Sequence, residues 1–224
     1  TQRVILSYLT TILNLKEDDA SIKKIGNLLA EAMHHAVIKE NFSFMKILAG
    51  HTEHFMNTPF LAKFPKGTLS GELGCIYYYL CHYTQAKTLL NSAITELSDH
   101  PFQHTEKVAC FLLYLGNVHR RLGEYDKAIR LFKKSITLYE SLPDSERGIA
   151  RSSGYLGIIY ESLGEFSKAK TLLNKSLALY HNHASHQIGH AWALSHLASV
   201  FKNMGSYVKA RDLYKQSLII YKKV

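Results

Sequence analysis

The feature that most constrains this chain is a spacing. The pair Leu73-Gly74 returns as Leu115-Gly116, Leu156-Gly157 and Leu197-Ala198, so the lead leucines stand 42, 41 and 41 residues apart. Ala86, Ala128, Ala169 and Ala210 return at the same intervals. A fixed period of this length means stacked supersecondary units, each burying its apolar face only against its neighbours.

Each unit reads as two helices. In the second, Leu112, Leu115, Val118, His119 and Leu122 fall on one helical stripe. Gly123 then stops the helix, where a left-handed residue is needed and glycine adopts it cheaply. Glu124 and Tyr125 open the next helix, with Ala128, Leu131, Phe132, Ser135, Ile136 and Tyr139 as its apolar face. Gly164, Glu165, Phe166, Ala169, Leu172, Leu173 and Ser176 repeat this, as do Gly205, Ser206, Tyr207, Ala210, Leu213, Tyr214 and Ser217. Gly116 and Gly157, with Ala128 and Ala169 opposite, are the small residues that let two helix axes approach to about 8–10 Å.

The stretches LGNVHRRLGEYDKAIRLFKKSI and LGIIYESLGEFSKAKTLLNKSL carry a Leu-Gly, Leu-Gly-Glu-Tyr/Phe, Lys-Ala, Ser-Ile/Leu pattern that resembles the tetratricopeptide repeat. The likeness covers Gly67 to Val224 and is strongest in the last three units; in the first, Cys81 replaces the turn glycine. The usual unit has about 34 residues. Here the extra residues fall around Leu142–Arg147 and His181–Gln187, and units of this length are similar to those of kinesin light chains and of sensor arrays on bacterial signalling NTPases. The resemblance implies an all-α fold, a right-handed superhelical solenoid of antiparallel helix pairs, with repeats at 67–99, 103–141, 145–182 and 186–223.

Residues 1–66 lack the pattern but read as helices. Thr1 to Leu15 is one, with no cleavage site of the secretory kind. Asp18 or Asp19 caps a second, with the stripe Ile22, Ile25, Leu29, Ala32, Met33 and Ala36. Asn41 caps a third carrying Phe44, Met45, Leu48 and Phe55, and Pro59 and Pro65 close the segment. It reads as a degenerate repeat or cap, or as a hinge from an upstream domain. The absent initiating Met and the apolar last segment Leu218–Tyr221 suggest a piece of a longer protein.

Composition narrows the class. With four prolines and 46% apolar residues the chain suits soluble helices, because proline costs a helix interior about 3 kcal/mol. The longest apolar run, near Ala109 to Leu115, is too short for membrane insertion, which takes about 20 residues. Cys75, Cys81 and Cys110 form no Cys-x-x-Cys pair and read as small hydrophobes in a reducing compartment, hence a cytoplasmic protein. A host cytosol, for a delivered bacterial effector, fits equally. The net charge of +9 favours acidic partners, but the cations are dispersed without a basic run. Nucleic-acid binding would rest on charge alone.

In the resemblance, the first helix of each pair lines a concave groove. Carried onto this sequence, the groove takes Cys75, Tyr78 and Tyr79, then Leu113, Tyr114, Asn117, Arg120 and Arg121. The third unit adds Arg151, Tyr155, Ile158, Glu161 and Ser162, and the fourth Trp192, His196, Ser199, Lys202 and Asn203. Aromatic residues and arginine carry much interface energy, amides bond an extended backbone, and arginine grips carboxylates in pairs of bonds. An extended, acidic peptide is the expected ligand. Tyr114, Tyr155 and His196 share one register position and read equally as packing between first helices. The family's two-carboxylate clamp is not expected, since Asn117 matches one element but Cys75 and Ile158 break the set.

Thirteen histidines include the clusters His181, His183, His186, His190 and His51, His54 beside Glu53. No Cys or Asp completes either as a zinc site, so no metal and no cofactor is expected. Phosphate-cradling glycine motifs and Gly-x-Ser-x-Gly are absent, so no enzyme activity is expected either. The favoured reading is a protein-binding scaffold, and the alternative is a sensor or regulatory arm of a larger signalling NTPase. The oligomeric state is not legible.

Overall fold

The computed structural model describes residues 19–57, 66–99, 101–181 and 186–223, and there it contains ten helices and no strand. The expected helix at Thr1 to Leu15, the Asp18 cap, Pro59 and Pro65 lie outside those residues. The chain divides into two compact units at Pro101.

Unit 1 holds α1 (Asp19–Ile38), α2 (Phe42–Met56), α3 (Gly67–Tyr79) and α4 (Tyr83–Ser98). The stripe of α1 buries Ile25, Leu29, Met33 and Ala36. Asn41 caps α2, its side chain accepting from the Phe44 amide at 3.1 Å. Both helices pack on α3, so the N-terminal pair and the first repeat share one core. Met33, Met45 and Leu48 are fully buried, as are Leu73 and Ile76 of α3 and Leu90 of α4.

Unit 2 holds three pairs: α5 (Pro101–Arg121) with α6 (Tyr125–Glu140), α7 (Glu146–Ser162) with α8 (Phe166–His181), and α9 (Gln187–Asn203) with α10 (Tyr207–Lys223). Each second helix also packs on the first helix of the next pair, α6 on α7 and α8 on α9.

The turn inside each pair is one device used repeatedly. Gly123, Gly164 and Gly205 have φ of 75°, 75° and 77°. The next amide bonds back to the helix, Glu124 N to His119 O at 2.9 Å, Glu165 N to Tyr160 O at 2.8 Å and Ser206 N to Phe201 O at 2.8 Å. This is the glycine stop that satisfies the last carbonyls of a helix. Cys81 and Glu40 hold the same place in unit 1, with φ of 62° and 50°. Their amide bonds are the same as well, His82 N to Tyr77 O at 2.8 Å and Asn41 N to Ala36 O at 3.0 Å. The turn geometry therefore survives the loss of its glycine, at a steric cost of about 1–2 kcal/mol for each Cβ.

Within a pair, a Cβ built on Gly74 would stand 2.8 Å from Leu90, one on Gly116 3.0 Å from Phe132, and one on Gly157 3.0 Å from Leu173. Between pairs, a Cβ on Gly148 would meet the Tyr139 ring at 2.5 Å, and one on Gly189 the Tyr180 ring at 2.6 Å. Three of the repeat pairs and both steps between pairs of unit 2 thus have a glycine pressed on a large side chain, and Ala198 takes the glycine's place in the last pair. Burial pushes the Tyr180 phenol up to about 12, and the Tyr139 phenol is raised for the same reason.

A buried serine recurs on each second helix of unit 2. Ser135 Oγ donates to Ala109 O at 2.8 Å and meets Ser152 Oγ at 3.0 Å, and Ser217 Oγ donates to Ala191 O at 2.7 Å. Ser176 is as deeply buried, yet its hydroxyl has no hydrogen-bond partner among the described residues.

Three stability outcomes follow. Cys81→Gly should raise stability by about 1 kcal/mol, seen as a higher urea midpoint. Ser135→Ala should cost about 1–2 kcal/mol, whereas Ser176→Ala should be near neutral, because only the first breaks a bond. Leu156→Ala, at a site 3% exposed, should cost about 2–5 kcal/mol; unchanged thermal melting would contradict the register described here.

Candidate functional site

The first helices of unit 2, α5, α7 and α9, bring most of the sequence-selected residues onto neighbouring positions. The structure sorts them into buried, interlocked and open groups.

Leu113, Tyr114 and Asn117 are buried. Asn117, expected to bond a peptide backbone, is 1% exposed and spends its amide inside the protein: Nδ2 donates to Leu113 O at 3.2 Å and Oδ1 accepts from Arg120 Nε at 3.2 Å. Neither it nor Leu113 presents an edge to a ligand. Burial of the first-helix core left no solvent on that side, which a register position alone does not reveal.

A second group interlocks across pairs. Arg151 lies over the Tyr114 ring at 5.3 Å and donates to its hydroxyl at 3.2 Å. Arg120 lies over the Tyr155 ring at 5.5 Å. Tyr155 stacks on Phe132 at 5.9 Å and meets Trp192 edge-on at 4.9 Å, and Trp192 meets His196 at 4.7 Å. Room for the indole comes from Gly154, where a Cβ would stand 2.5 Å from Trp192. Cations over aromatic faces contribute about 0.5–2 kcal/mol each, so this row is held in place before any ligand arrives. The packing reading of Tyr114, Tyr155 and His196 describes these contacts.

The third group is open or half-open. Ile158 is half-buried, and Arg121, Lys202 and Asn203 are exposed. Glu161 Oε1 accepts from Ser199 Oγ at 2.6 Å and from Asn203 Nδ2 at 2.9 Å, both on α9. This pairing was not foreseen. Its signal is an offset of 38 and 42 residues, close to the repeat period, as is the 37-residue offset between Tyr114 and Arg151.

Tyr78 and Tyr79 belong to unit 1. Their rings lie 5.4 Å apart, with Phe42 6.2 Å from Tyr79 and Tyr83 6.2 Å from Tyr78. Cys75 is buried, and none of the three cysteines is joined in a disulfide. His183 and the side chain of His181 lie outside the described residues; among those described, no three His, Cys, Asp or Glu side chains converge as metal ligands. No helix among them is long and apolar enough to cross a membrane.

His196 titrates at about 4, lowered first by burial and second by the Arg120 charge. The unfolded chain, with its histidine near 6.5, binds the proton first on acidification. The stabilisation is therefore complete above pH 6.5, declines as pH falls and levels off below about 4. His196→Gln should lose less melting temperature than the native protein between pH 7 and pH 4; parallel curves would place the ring in solvent.

Comparison with known proteins agrees with this architecture. Residues 107–182 and 190–224 each match a tetratricopeptide-repeat family. No curated protein matches the sequence. Among solved structures, BtubC (BKLC) from P. vanneervenii is similar at a TM-score of 0.73 and 16% identity, over 99% of this chain and 91% of that one. Aspartyl phosphate phosphatase F from Bacillus subtilis aligns at 0.67 and 13% identity, over 89% of this chain and 52% of that one. The kinesin-light-chain TPR-like repeats of Podosopora anserina align at 0.55 and 15% identity, over 90% of this chain and 95% of theirs. At these identities the likeness is one of fold.

Proposed function

Residues 107–182 and 190–224 are tetratricopeptide repeats, and from that membership we propose that the protein is a non-catalytic, cytoplasmic scaffold that binds partner proteins, its unit 2 taking an extended, acidic segment along α5, α7 and α9. The observation that carries this reading is the pair of arginines laid over aromatic rings between α5 and α7, Arg120 on Tyr155 and Arg151 on Tyr114, continued onto α9 by the contact of Tyr155 with Trp192. Such a row offers cations and apolar faces together, held before binding, which lowers the entropy cost of association. Arg120 supports it further: its Nε is committed to Asn117, while its two terminal amino groups carry no hydrogen bond among the described residues and form a fork suited to a carboxylate. Beside it, Arg121 adds an exposed cation, and the chain's net charge of +9 draws in acidic partners.

The test is affinity capture from lysate with the native chain, an Arg120→Glu, Arg121→Glu variant, and a Lys133→Glu, Lys134→Glu control on α6. Both variants are first checked for native helicity. A partner retained by the native chain and the control but lost from the first variant supports the reading. Equal capture by all three places the binding surface elsewhere on the protein.

A further inference from the structure

Arg120, Glu161 and Lys202 stand 41 residues apart, one on each first helix of unit 2, at the same register position. Their charges alternate, cation, anion, cation. Each also keeps a charged edge unused. Arg120 has its terminal fork. Lys202 is exposed and makes no ion pair among the described residues. Glu161 is the most telling: Ser199 and Asn203 both bond its Oε1, leaving Oε2 without a hydrogen bond among the described residues. Two neutral donors orient a carboxylate without neutralising it, and no cation pairs with Glu161 among the described residues. A half-buried anion held this way is best completed by a cationic hydrogen-bond donor from outside.

Successive first helices touch, α7 on α9, so they stand about one helix diameter apart, about 10–12 Å, and an extended chain advances about 3.3–3.6 Å per residue. One step along this column therefore corresponds to about three residues of ligand. We propose that unit 2 selects an extended segment of a partner protein in which a basic residue stands between two acidic ones, each about three residues away, with Glu161 receiving the lysine or arginine. The pattern is symmetric, so it holds for either chain direction of the ligand. It remains acidic overall, in keeping with the basic protein. This inference rests on the reading of α5, α7 and α9 as the binding face, and it adds what that face discriminates.

The test is selection from a displayed library of random dodecapeptides on the full chain and on Glu161→Gln, an isosteric change that keeps an acceptor for Ser199 and Asn203. The native chain should enrich acid-x-x-base-x-x-acid peptides, and Glu161→Gln should keep the acids and lose the central base. A synthetic peptide of the enriched pattern should bind the native chain about tenfold more tightly than its version with norleucine for the central base. That comparison uses the unaltered protein and does not depend on whether the variant folds. Equal affinity for the two peptides, or the same pool from both proteins, overturns the charge-alternation inference and leaves the binding face intact. Failure to enrich any peptide, or enrichment indifferent to Arg120→Gln and Lys202→Gln as well, overturns both.

Discussion

The array depends on one contact made repeatedly, a glycine on one helix against a large side chain on the next. Within pairs, Gly74, Gly116 and Gly157 receive Leu90, Phe132 and Leu173; between pairs, Gly148 and Gly189 receive Tyr139 and Tyr180. A methyl group at any of these places would displace a buried neighbour, and close-packed interiors transmit such displacements rather than absorb them. The first set determines how far apart the two helices of a pair lie. The second determines where the next pair begins, and so which side chains of α5, α7 and α9 face one another.

That placement explains the character of the first-helix face. Arg120 reaches Tyr155, and Arg151 reaches Tyr114, because successive first helices are brought within a side chain's length. Glu161 finds Ser199 and Asn203 for the same reason. The face is therefore ordered by its own contacts. Asn117 shows the consequence: a polar side chain expected to meet a ligand lies buried instead, its amide nitrogen donating to Leu113 O and its oxygen accepting from Arg120 Nε within the protein. In the proposed binding mode a partner would meet the outer edge of this row, the arginine fork, the second oxygen of Glu161 and Lys202.

The helices and their stops were readable because they depend on local chemistry. A 3.6-residue apolar period and a glycine after it are enough to mark Gly123, Gly164 and Gly205. The small residues at close approaches were partly readable. Gly116 and Gly157 sit in the repeated pattern, whereas Gly148, Gly154 and Gly189 matter only against Tyr139, Trp192 and Tyr180, residues remote in sequence. Cys81 looked like a broken turn, yet it takes up the same left-handed conformation. The helices on either side, already committed by their packing, impose the turn on a residue that would not choose it.

The sequence by itself determined the all-α class and the helix pairs of the repeats, since both follow from period and propensity within a single unit; the choice of the first-helix face as the binding face came from the family resemblance and belongs to the proposal. Only the tertiary structure decided which residues of that face are spent and which stay available, and that the N-terminal pair shares a core with the first repeat. Those outcomes depend on groups brought together from 17 to 42 residues away, where burial and hydrogen-bond competition are settled by geometry that a register position does not contain.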